Sequence, residues 1–213
     1  MNVPVLYSFR RCPYAMRARI AISVSAVRFE LREILLKEKP PQMLDASIKG
    51  TVPVAVFAND MVIEESLELM LWSLAQNDPY NWLDDLDQSL DFIHTNDMSF
   101  KPWLDRYKYH VGYPDQSQAD YRDRCGEFLI RLEQKLSPHK FLLGNQARLA
   151  DVAVFPFIRQ FAFVDKEWFD DGPYPHTRAW LDSWVASGLF ASIMHKYAPW
   201  QHGASKIFFP DHR

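Results

Sequence analysis

The chain has 213 residues, enough for one large domain or two small ones and for a core without covalent staples. Hydrophobic residues make up 48% and charged residues 24%, so the composition excludes a disordered or a collagen-like chain. The net charge of −3 provides no bulk positive field, and we therefore expect no nucleic-acid partner.

Two cysteines, Cys12 and Cys125, are too few for a disulfide framework, so we expect a reducing, cytoplasmic compartment. The N-terminus has no basic leader before a long apolar run, which argues against a signal peptide. No stretch reaches the ~18 apolar residues of a membrane-spanning helix, and no His spacing is typical of a metal site. We therefore expect neither a membrane partner nor a metal.

The first part of the chain alternates strand and helix signals. The short apolar run at 3–7 predicts a strand, and Cys12-Pro13 predicts a helix start, because Pro suits the first helical position. Apolar and charged residues alternate over 27–32, which is the period of a half-buried strand. This order indicates a βαβ unit with a right-handed crossover.

A second set of signals follows the break at 40–41. We predict a short helix that ends near Ser47, a tight hairpin over 54–63 and a third helix that begins at Ser66. The predicted order β-α-β-α-β-β-α indicates a mixed sheet, whose first pair of strands is parallel and whose last pair is antiparallel.

Strand signals stop at the turn-forming segment 77–81. We place a small α/β domain at residues 1–76, a linker at 77–83 and an all-helical domain at 84–213. Cys125 lies on an apolar helical stripe, which indicates a core residue. The predicted helices of this second part are 84–110, 116–136, 150–163 and one around Trp180–Trp184.

Cys12 is the sharpest chemical feature of the sequence. It follows a strand and begins a helix, where backbone N–H groups and the helix dipole favour an anion, and Arg10 and Arg11 add positive potential. These effects predict a lowered pKa for the thiol, whose thiolate is the nucleophile. Ala15 stands where a CxxC motif has its second cysteine, so a redox cycle needs a thiol from outside the chain. The alternative is a small buried structural cysteine.

Val52 and Pro53 come directly before the predicted third strand. A Pro at this place suggests a cis peptide bond, which would turn the backbone N–H and C=O of Val52 outward as a clamp for a peptide. The alternative is an ordinary trans Pro in a loop.

Glu65 and Ser66 begin the third helix. They could hold the ammonium and carboxylate groups of a ligand, or they could only cap the helix. Lys39 and Lys49 flank the second helix, and each one taken alone reads as a solvated surface lysine.

Together, Cys12-Pro13-Tyr14-Ala15, Val52-Pro53 and Glu65-Ser66 resemble the glutathione-binding domain of cysteine-type cytosolic glutathione S-transferases. The omega class, its bacterial relatives and the two-domain bacterial glutaredoxin are the most similar branches. The resemblance covers the whole chain. Residues 36–40 resemble the omega-class segment that supplies a glutathione-contacting lysine, and 149–156 resemble a buried helix start in the second domain.

The resemblance implies the glutathione S-transferase fold, which is an α/β thioredoxin-like N-terminal domain plus an all-α C-terminal domain, with glutathione as co-substrate between them. It implies that Cys12 faces the glutathione sulfur, that Val52 pairs with the cysteinyl backbone and that Lys39 also contacts glutathione. It assigns the γ-glutamyl end to Glu65 and Ser66. The implied glutathione-binding residues are Tyr14, Lys39, Val52, Pro53, Glu65 and Ser66.

The sequence departs from the family in two places. Most members stabilise a glutathione thiolate with Tyr or Ser, whereas Cys12 favours a mixed disulfide; Tyr7 is the alternative residue of the tyrosine type. The family also has Ser or Thr three residues before Asp151 as a helix cap, and Arg148 stands there instead, so we expect an incomplete capping box.

The resemblance favours a glutathione-dependent thiol transferase. The alternatives are a conjugating transferase, in which Cys12 only orients glutathione, and a non-catalytic binding module like the stringent starvation protein A family. The family implies a homodimer, although the two-domain glutaredoxin is an exception. A small apolar or disulfide-containing acceptor would be lined by four aromatic residues, for which core packing is the alternative: Phe100, Trp103, Tyr107 and Trp200.

Overall fold

The computed structural model describes residues 3–211, and the chain forms two compact units. The first unit combines the chain up to Pro79 with the chain from Gly188 onward, and the second unit is Tyr80–Ser187. The predicted all-helical domain at 84–213 is therefore wrong from residue 188 onward. The last described residues return to the first unit because an apolar triplet near the C-terminus pairs with the edge of its sheet.

The first unit contains the predicted order β-α-β-α-β-β-α, followed by one more helix and one more strand. The elements of the first unit are β1 (Val5–Ser8), α1 (Pro13–Ser25), β2 (Phe29–Glu33), α2 (Pro41–Ala46), β3 (Val54–Val56), β4 (Val62–Ile63), α3 (Ser66–Gln76), α11 (Gly188–Ile193) and β5 (Ile207–Phe209). The sheet has the strand order β4-β3-β1-β2-β5; β1 and β2 are parallel, and the other three neighbouring pairs are antiparallel.

The central strand β1 has both faces covered. Leu6 is fully buried and lies opposite Leu31 of β2 and Ala55 of β3 in the two ladders. The helices α1 and α3 pack against each other. Since α1 is buried along most of its length, the loop between β1 and α1, which carries Cys12, begins and ends in rigid elements.

The fifth strand is an addition that periodicity did not predict. It pairs antiparallel with β2, with Phe209 opposite Phe29. Lys206 forms an ion pair with Glu30 of β2 at 3.0 Å, and the guanidinium of Arg28 lies 4.1 Å from the centroid of the Phe208 ring. The strand therefore covers the backbone edge of β2, which would otherwise be open for pairing with another chain.

The second unit is helical, as expected, but its helices are shorter than the periodicity suggests. The predicted helix 84–110 is interrupted by a π-helical turn at Asn96–Phe100, and the predicted helix 116–136 is broken at Cys125. Cys125 is fully buried, which confirms its place in the core. The helices are α4 (Leu86–Thr95), α5 (Lys101–Lys108), α6 (Gln118–Arg124), α7 (Gly126–Leu136), α8 (Leu149–Ala162), α9 (Lys166–Asp171) and α10 (Pro175–Val185), with a 3-10 turn at His110–Gly112.

Asp151 secures the start of α8 although Arg148 offers no capping oxygen. Its carboxylate accepts the backbone N–H groups of Arg148 and Leu142, each at 3.0 Å, and the indole N–H of Trp180 at 2.9 Å. Burial raises the pKa of Asp151 to about 6. The bond from the Arg148 N–H to the Asp151 carboxylate is one half of the capping box. The Arg148 side chain supplies no oxygen for the other half, and the Asp151 N–H donates to the Arg148 backbone carbonyl at 3.0 Å instead. Over residues 3–211, no helix combines the length and the apolar character that crossing a membrane requires.

Candidate functional site

Cys12 is the N-cap residue of α1, with φ −78° and ψ 123°, and Pro13 occupies the first helical position as predicted. The Cys12 N–H donates to the Phe9 carbonyl at 3.0 Å, which closes the turn after β1. The Cys12 carbonyl accepts the N–H of Met16 at 2.9 Å, the first bond of the helix. The side chain is partly exposed, so the thiol lies at a helix N-terminus and not behind the helix.

The structure brings Cys12 and Val52 together, although they are far apart in the sequence. The Cys12 thiol donates to the Val52 carbonyl oxygen, with 3.7 Å between sulfur and oxygen. The Val52–Pro53 peptide bond is cis, which confirms the interpretation of this Pro. The Cys12 thiol therefore lies beside the backbone of Val52, the residue predicted to clamp a peptide.

An apolar cluster supports this place from inside the first unit. Cys12 packs against six buried residues that come from β1, α1, α2 and the segments around β2 and β3. They are Tyr7, Ala15, Ile34, Met43, Val52 and Val54. The segments that carry Cys12 and Val52 therefore pack on the same hydrophobic cluster.

Tyr7, the alternative tyrosine-type residue, belongs to this support. Its ring is 2% exposed, and its hydroxyl accepts a hydrogen bond from the Arg32 guanidinium at 2.7 Å. Burial raises the pKa of Tyr7 above the usual 10.0. A buried phenol with a raised pKa stays protonated and is therefore poorly suited to act as a nucleophile.

The two arginines before Cys12 have different surroundings. The Arg10 guanidinium donates to the carbonyl oxygen of Met194 at 3.2 Å. The Arg11 guanidinium lies 5.4 Å from the centroid of the Phe9 ring, and the residue is exposed. Both carry positive charge near Cys12 in the sequence, but Arg10 also joins two distant parts of the chain.

Glu65 is the N-cap residue of α3, yet its side chain makes no capping hydrogen bond. It forms a close ion pair with Lys49 instead, and this bond raises the pKa of Lys49. The Glu65 side chain remains 54% exposed, whereas Ser66 is buried. The Glu65 side chain therefore does not cap α3, although the residue occupies the N-cap position, and its carboxylate lies at the surface near the start of the helix.

Lys39 reaches the same stretch of chain as Lys49. A Cβ atom added at Gly50 would lie 3.7 Å from the Lys39 ammonium nitrogen, so this charge lies beside Gly50, two residues before Val52. Gly50 has φ +59°, a conformation that suits glycine. Sequence reasoning treated Lys49 as a solvated lysine and missed its pairing with Glu65, because nothing in the spacing of the two residues signals it.

Two of the predicted acceptor residues are core residues of the second unit. Phe100 is 1% exposed and lies 5.0 Å from the Phe128 ring, between centroids. Tyr107 is 2% exposed and packs on Phe161, and burial raises the pKa of Tyr107 to about 12. Their prediction as acceptor-lining residues is wrong, because helical spacing alone does not distinguish a buried aromatic face from an exposed one.

The other two predicted acceptor residues belong to different units. Trp103 is half-buried in the second unit, where it stacks on Tyr121 and lines a cavity of about 450 Å³. Trp200 belongs to the first unit, where its ring lies edge-on to Tyr7 and 4.3 Å from the Arg32 guanidinium.

Among residues 3–211, no three His, Cys, Asp or Glu side chains are grouped so that they could hold a metal ion.

Comparison with known proteins gives the family. Residues 6–82 match the N-terminal domain of glutathione S-transferases, and residues 100–183 match their C-terminal domain. The chain is 26% identical over 180 residues to Glutathione S-transferase U19 of Arabidopsis thaliana, which covers 78% of this chain and 76% of that protein.

Solved structures support the same fold. A glutathione transferase family member from Pseudomonas fluorescens, with two glutathione bound, has a TM-score of 0.78 at 16% identity and covers 90% of this chain and 92% of its own. A glutathione transferase from Phanerochaete chrysosporium in complex with oxidized glutathione has a TM-score of 0.76 at 18% identity, with 89% and 94% covered. With both family domains matched and the fold shared, the chain belongs to the glutathione S-transferase superfamily.

Proposed function

We propose that this protein is a glutathione-dependent thiol transferase that acts through Cys12. The observation that carries the proposal is the position of the thiol at the N-terminus of α1, 3.7 Å from the Val52 carbonyl beside a cis Pro. A helix N-terminus stabilises an anion, and a thiolate is the attacking species in disulfide exchange.

The reaction has two exchange steps. The Cys12 thiolate attacks the glutathione sulfur of a glutathionylated substrate; the substrate disulfide breaks, a Cys12–glutathione disulfide forms and the substrate leaves as a thiolate. A second glutathione thiolate then attacks the glutathione sulfur of this mixed disulfide. Oxidised glutathione leaves, and the Cys12 thiolate is regenerated. Each step breaks one S–S bond and forms another, so no outside oxidant is needed.

Glutathione has one ammonium and two carboxylate groups, and the candidate residues offer partners of opposite charge. In this proposal the half-exposed Glu65 carboxylate accepts the ammonium group. Ser66 at the start of α3 holds the neighbouring carboxylate, and the Lys39 ammonium beside Gly50 serves a carboxylate. The proposal pairs Val52 with the cysteinyl backbone and assigns two further ligand contacts to Tyr14, in the first turn of α1, and to Pro53, next to Val52.

Intact-mass spectrometry after exposure to oxidised glutathione tests the proposal. We expect one reducible glutathione adduct on the wild type, none on Cys12→Ser and one on Cys125→Ser. The last variant is the matched control, because Cys125 is the other cysteine and is buried, with a pKa raised to about 12 by burial. An adduct that persists in Cys12→Ser would show that Cys12 is not the site.

Conjugation of glutathione to an electrophile is the second candidate, which the similarity to plant glutathione S-transferases favours. In that case Cys12 orients glutathione, and the glutathione sulfur attacks the electrophile directly. Conjugation of an activated aryl halide that survives in Cys12→Ser, together with absent disulfide exchange in the wild type, would select this function.

We also propose a homodimer in the cytoplasm, with a small apolar or disulfide-containing acceptor. Neither cysteine is in a disulfide, which supports a reducing compartment. Sedimentation at several protein concentrations tests the oligomeric state.

A further inference from the structure

The loop that carries Cys12 is held by a part of the chain that the glutathione site does not use. We define the thiol loop as residues 9–12 and the C-terminal segment as residues 188–211, both of which belong to the first unit. The C-terminal segment begins with α11 and ends with β5 and the two residues after it. Between these elements it passes the ends of β1 and β2, where it contacts the thiol loop and Glu33.

Arg10 connects the two segments directly. Its backbone N–H donates to the Glu33 carboxylate at 2.7 Å, and its guanidinium donates to the Met194 carbonyl at 3.2 Å. One residue of the thiol loop is therefore bonded both to the end of β2 and to the residue that follows α11.

A buried ion pair lies behind this contact. Arg19 of α1 is fully buried and forms a close pair with the Glu33 carboxylate. It also donates to the Ser8 hydroxyl at 2.8 Å and to the Ile193 carbonyl at 3.0 Å. The Glu33 carboxylate, which accepts the Arg10 N–H, is thus itself held by the Arg19 guanidinium. Any displacement of Arg19 would break its bonds to Glu33, Ser8 and Ile193.

The backbone of Glu33 adds a third connection. Its carbonyl accepts the N–H of Trp200, a residue of the C-terminal segment, at 2.7 Å. Glu33 therefore accepts a hydrogen bond from the thiol loop with its side chain and one from the C-terminal segment with its backbone carbonyl. The Arg10 guanidinium closes this arrangement at Met194.

We propose that Arg10 is a positioning residue that anchors the thiol loop to the C-terminal segment and so keeps Cys12 at the N-terminus of α1. The inference rests on the proposed function, because it concerns the thiol that carries it. Arg10 acts on the thiol through the backbone of the loop, two residues away. A purely electrostatic effect of Arg10 on the thiol would not need the hydrogen bond between the Arg10 guanidinium and the Met194 carbonyl.

Arg11 provides a matched control for the charge. It is adjacent to both Arg10 and Cys12, but its guanidinium lies over the Phe9 ring and its side chain is exposed. Arg10→Met and Arg11→Met each remove one positive charge near the thiol and keep a long side-chain stem. Arg10→Lys keeps the charge and a donor that can serve the Met194 carbonyl. Thermal melts on all three variants test whether they fold.

The first measurement is hydrogen–deuterium exchange of the peptide that contains the thiol loop, which needs no glutathione and no reactive thiol. We expect Arg10→Met to speed exchange of this peptide by about tenfold to a hundredfold, the range expected for loss of one hydrogen bond from a charged donor. Arg11→Met should leave the exchange rate close to that of the wild type, and Arg10→Lys should restore most of the protection. Unchanged exchange in Arg10→Met would overturn the proposal.

The second measurement is the pH dependence of Cys12 alkylation by iodoacetamide in the Cys125→Ser background. We expect the midpoint to rise further in Arg10→Met than in Arg11→Met, because the first variant loses both charge and placement. Equal shifts would mean that only charge matters and would overturn the positioning role. A wild-type midpoint at or above the usual ~8.5 would instead contradict the thiolate in the proposed function, while the exchange measurement still decides the anchoring.

Discussion

At the scale of single residues, the candidate site contains pairs of residues that are in contact in space but far apart in the sequence. The Cys12 thiol contacts the Val52 carbonyl, and the Glu65 carboxylate pairs with Lys49. The Glu65 side chain does not cap α3, and its exposed carboxylate pairs with Lys49 instead. The proposed function gives this carboxylate a second partner, the ammonium group of glutathione.

We expect Glu65→Gln to weaken glutathione binding by roughly tenfold to a hundredfold, because it removes a charge-assisted hydrogen bond to the ligand ammonium. The free energy of unfolding should change little, since an exposed ion pair contributes little to stability. Calorimetry and thermal melts measure both effects.

Glu64→Gln is the control for Glu65→Gln. Glu64 is the neighbouring acid and also lies near Lys49, with 3.8 Å between the charged atoms, but its carboxylate accepts the Ser47 hydroxyl. We expect it to leave glutathione affinity nearly unchanged. A lowered melting temperature with unchanged affinity in Glu65→Gln would give Glu65 a purely structural role.

At the scale of elements, the strand β5 and the helix α8 depend on contacts that lie far away in the sequence. The strand has three residues, too few to be stable alone, and it exists because β2 offers an edge. The helix lacks a Ser or Thr cap, and its start is secured by Asp151 with donors from two other segments.

We expect Phe209→Ala to lower the free energy of unfolding by about 3–5 kcal/mol, because it removes a buried aromatic ring opposite Phe29. Phe208→Ala is the matched control in the same strand; its ring is partly exposed over Arg28, and its loss should cost about 1 kcal/mol. Urea unfolding of both variants measures the difference. Similar small losses would mean that β5 adds little to the first unit.

Asp151 predicts a pH dependence of stability. Its folded pKa of about 6 lies above the reference value of 3.8, so the folded state binds the proton more tightly than the unfolded state. The contribution of Asp151 to stability therefore falls as the pH rises from about 4 to about 6. Asp151→Asn has no such titration, and it leaves one of the two backbone donors without its partner oxygen.

We accordingly expect Asp151→Asn to be less stable than the wild type, with a gap that is widest near pH ~4 and narrower at pH ~7. Urea unfolding at both pH values tests this expectation. A gap that widens as the pH rises would show that the hydrogen bonds outweigh burial and hold the pKa of Asp151 below its usual value.

At the scale of the whole molecule, the two units do not divide the chain in sequence order. The second unit is one continuous stretch, whereas the first unit takes both ends of the described chain. Its C-terminal segment supplies one of the two outer strands of the sheet and a hydrogen bond to the thiol loop. The proposed anchoring therefore predicts that a change near residue 194 affects the thiol at residue 12 through the backbone of the thiol loop.

The sequence by itself determined the features that depend on neighbouring residues. The start of α1 at Cys12-Pro13 and the order of the first seven elements follow from local chemistry and periodicity, and the structure confirms them. The residues around Pro53 left cis and trans open, and the structure has the cis bond. The two family domains agree with the fold class that the motifs implied.

Only the tertiary structure decided which distant residues meet. Periodicity shows that one face of a helix is apolar, but it does not show what covers that face, so Phe100 and Tyr107 could not be assigned to the core. The pairing of Lys49 with Glu65, the return of the chain to form β5 and the bond from Arg10 to Met194 join residues well apart in sequence. Such contacts form because whole elements pack together and bury their apolar faces, and no local pattern encodes which polar groups then lie side by side.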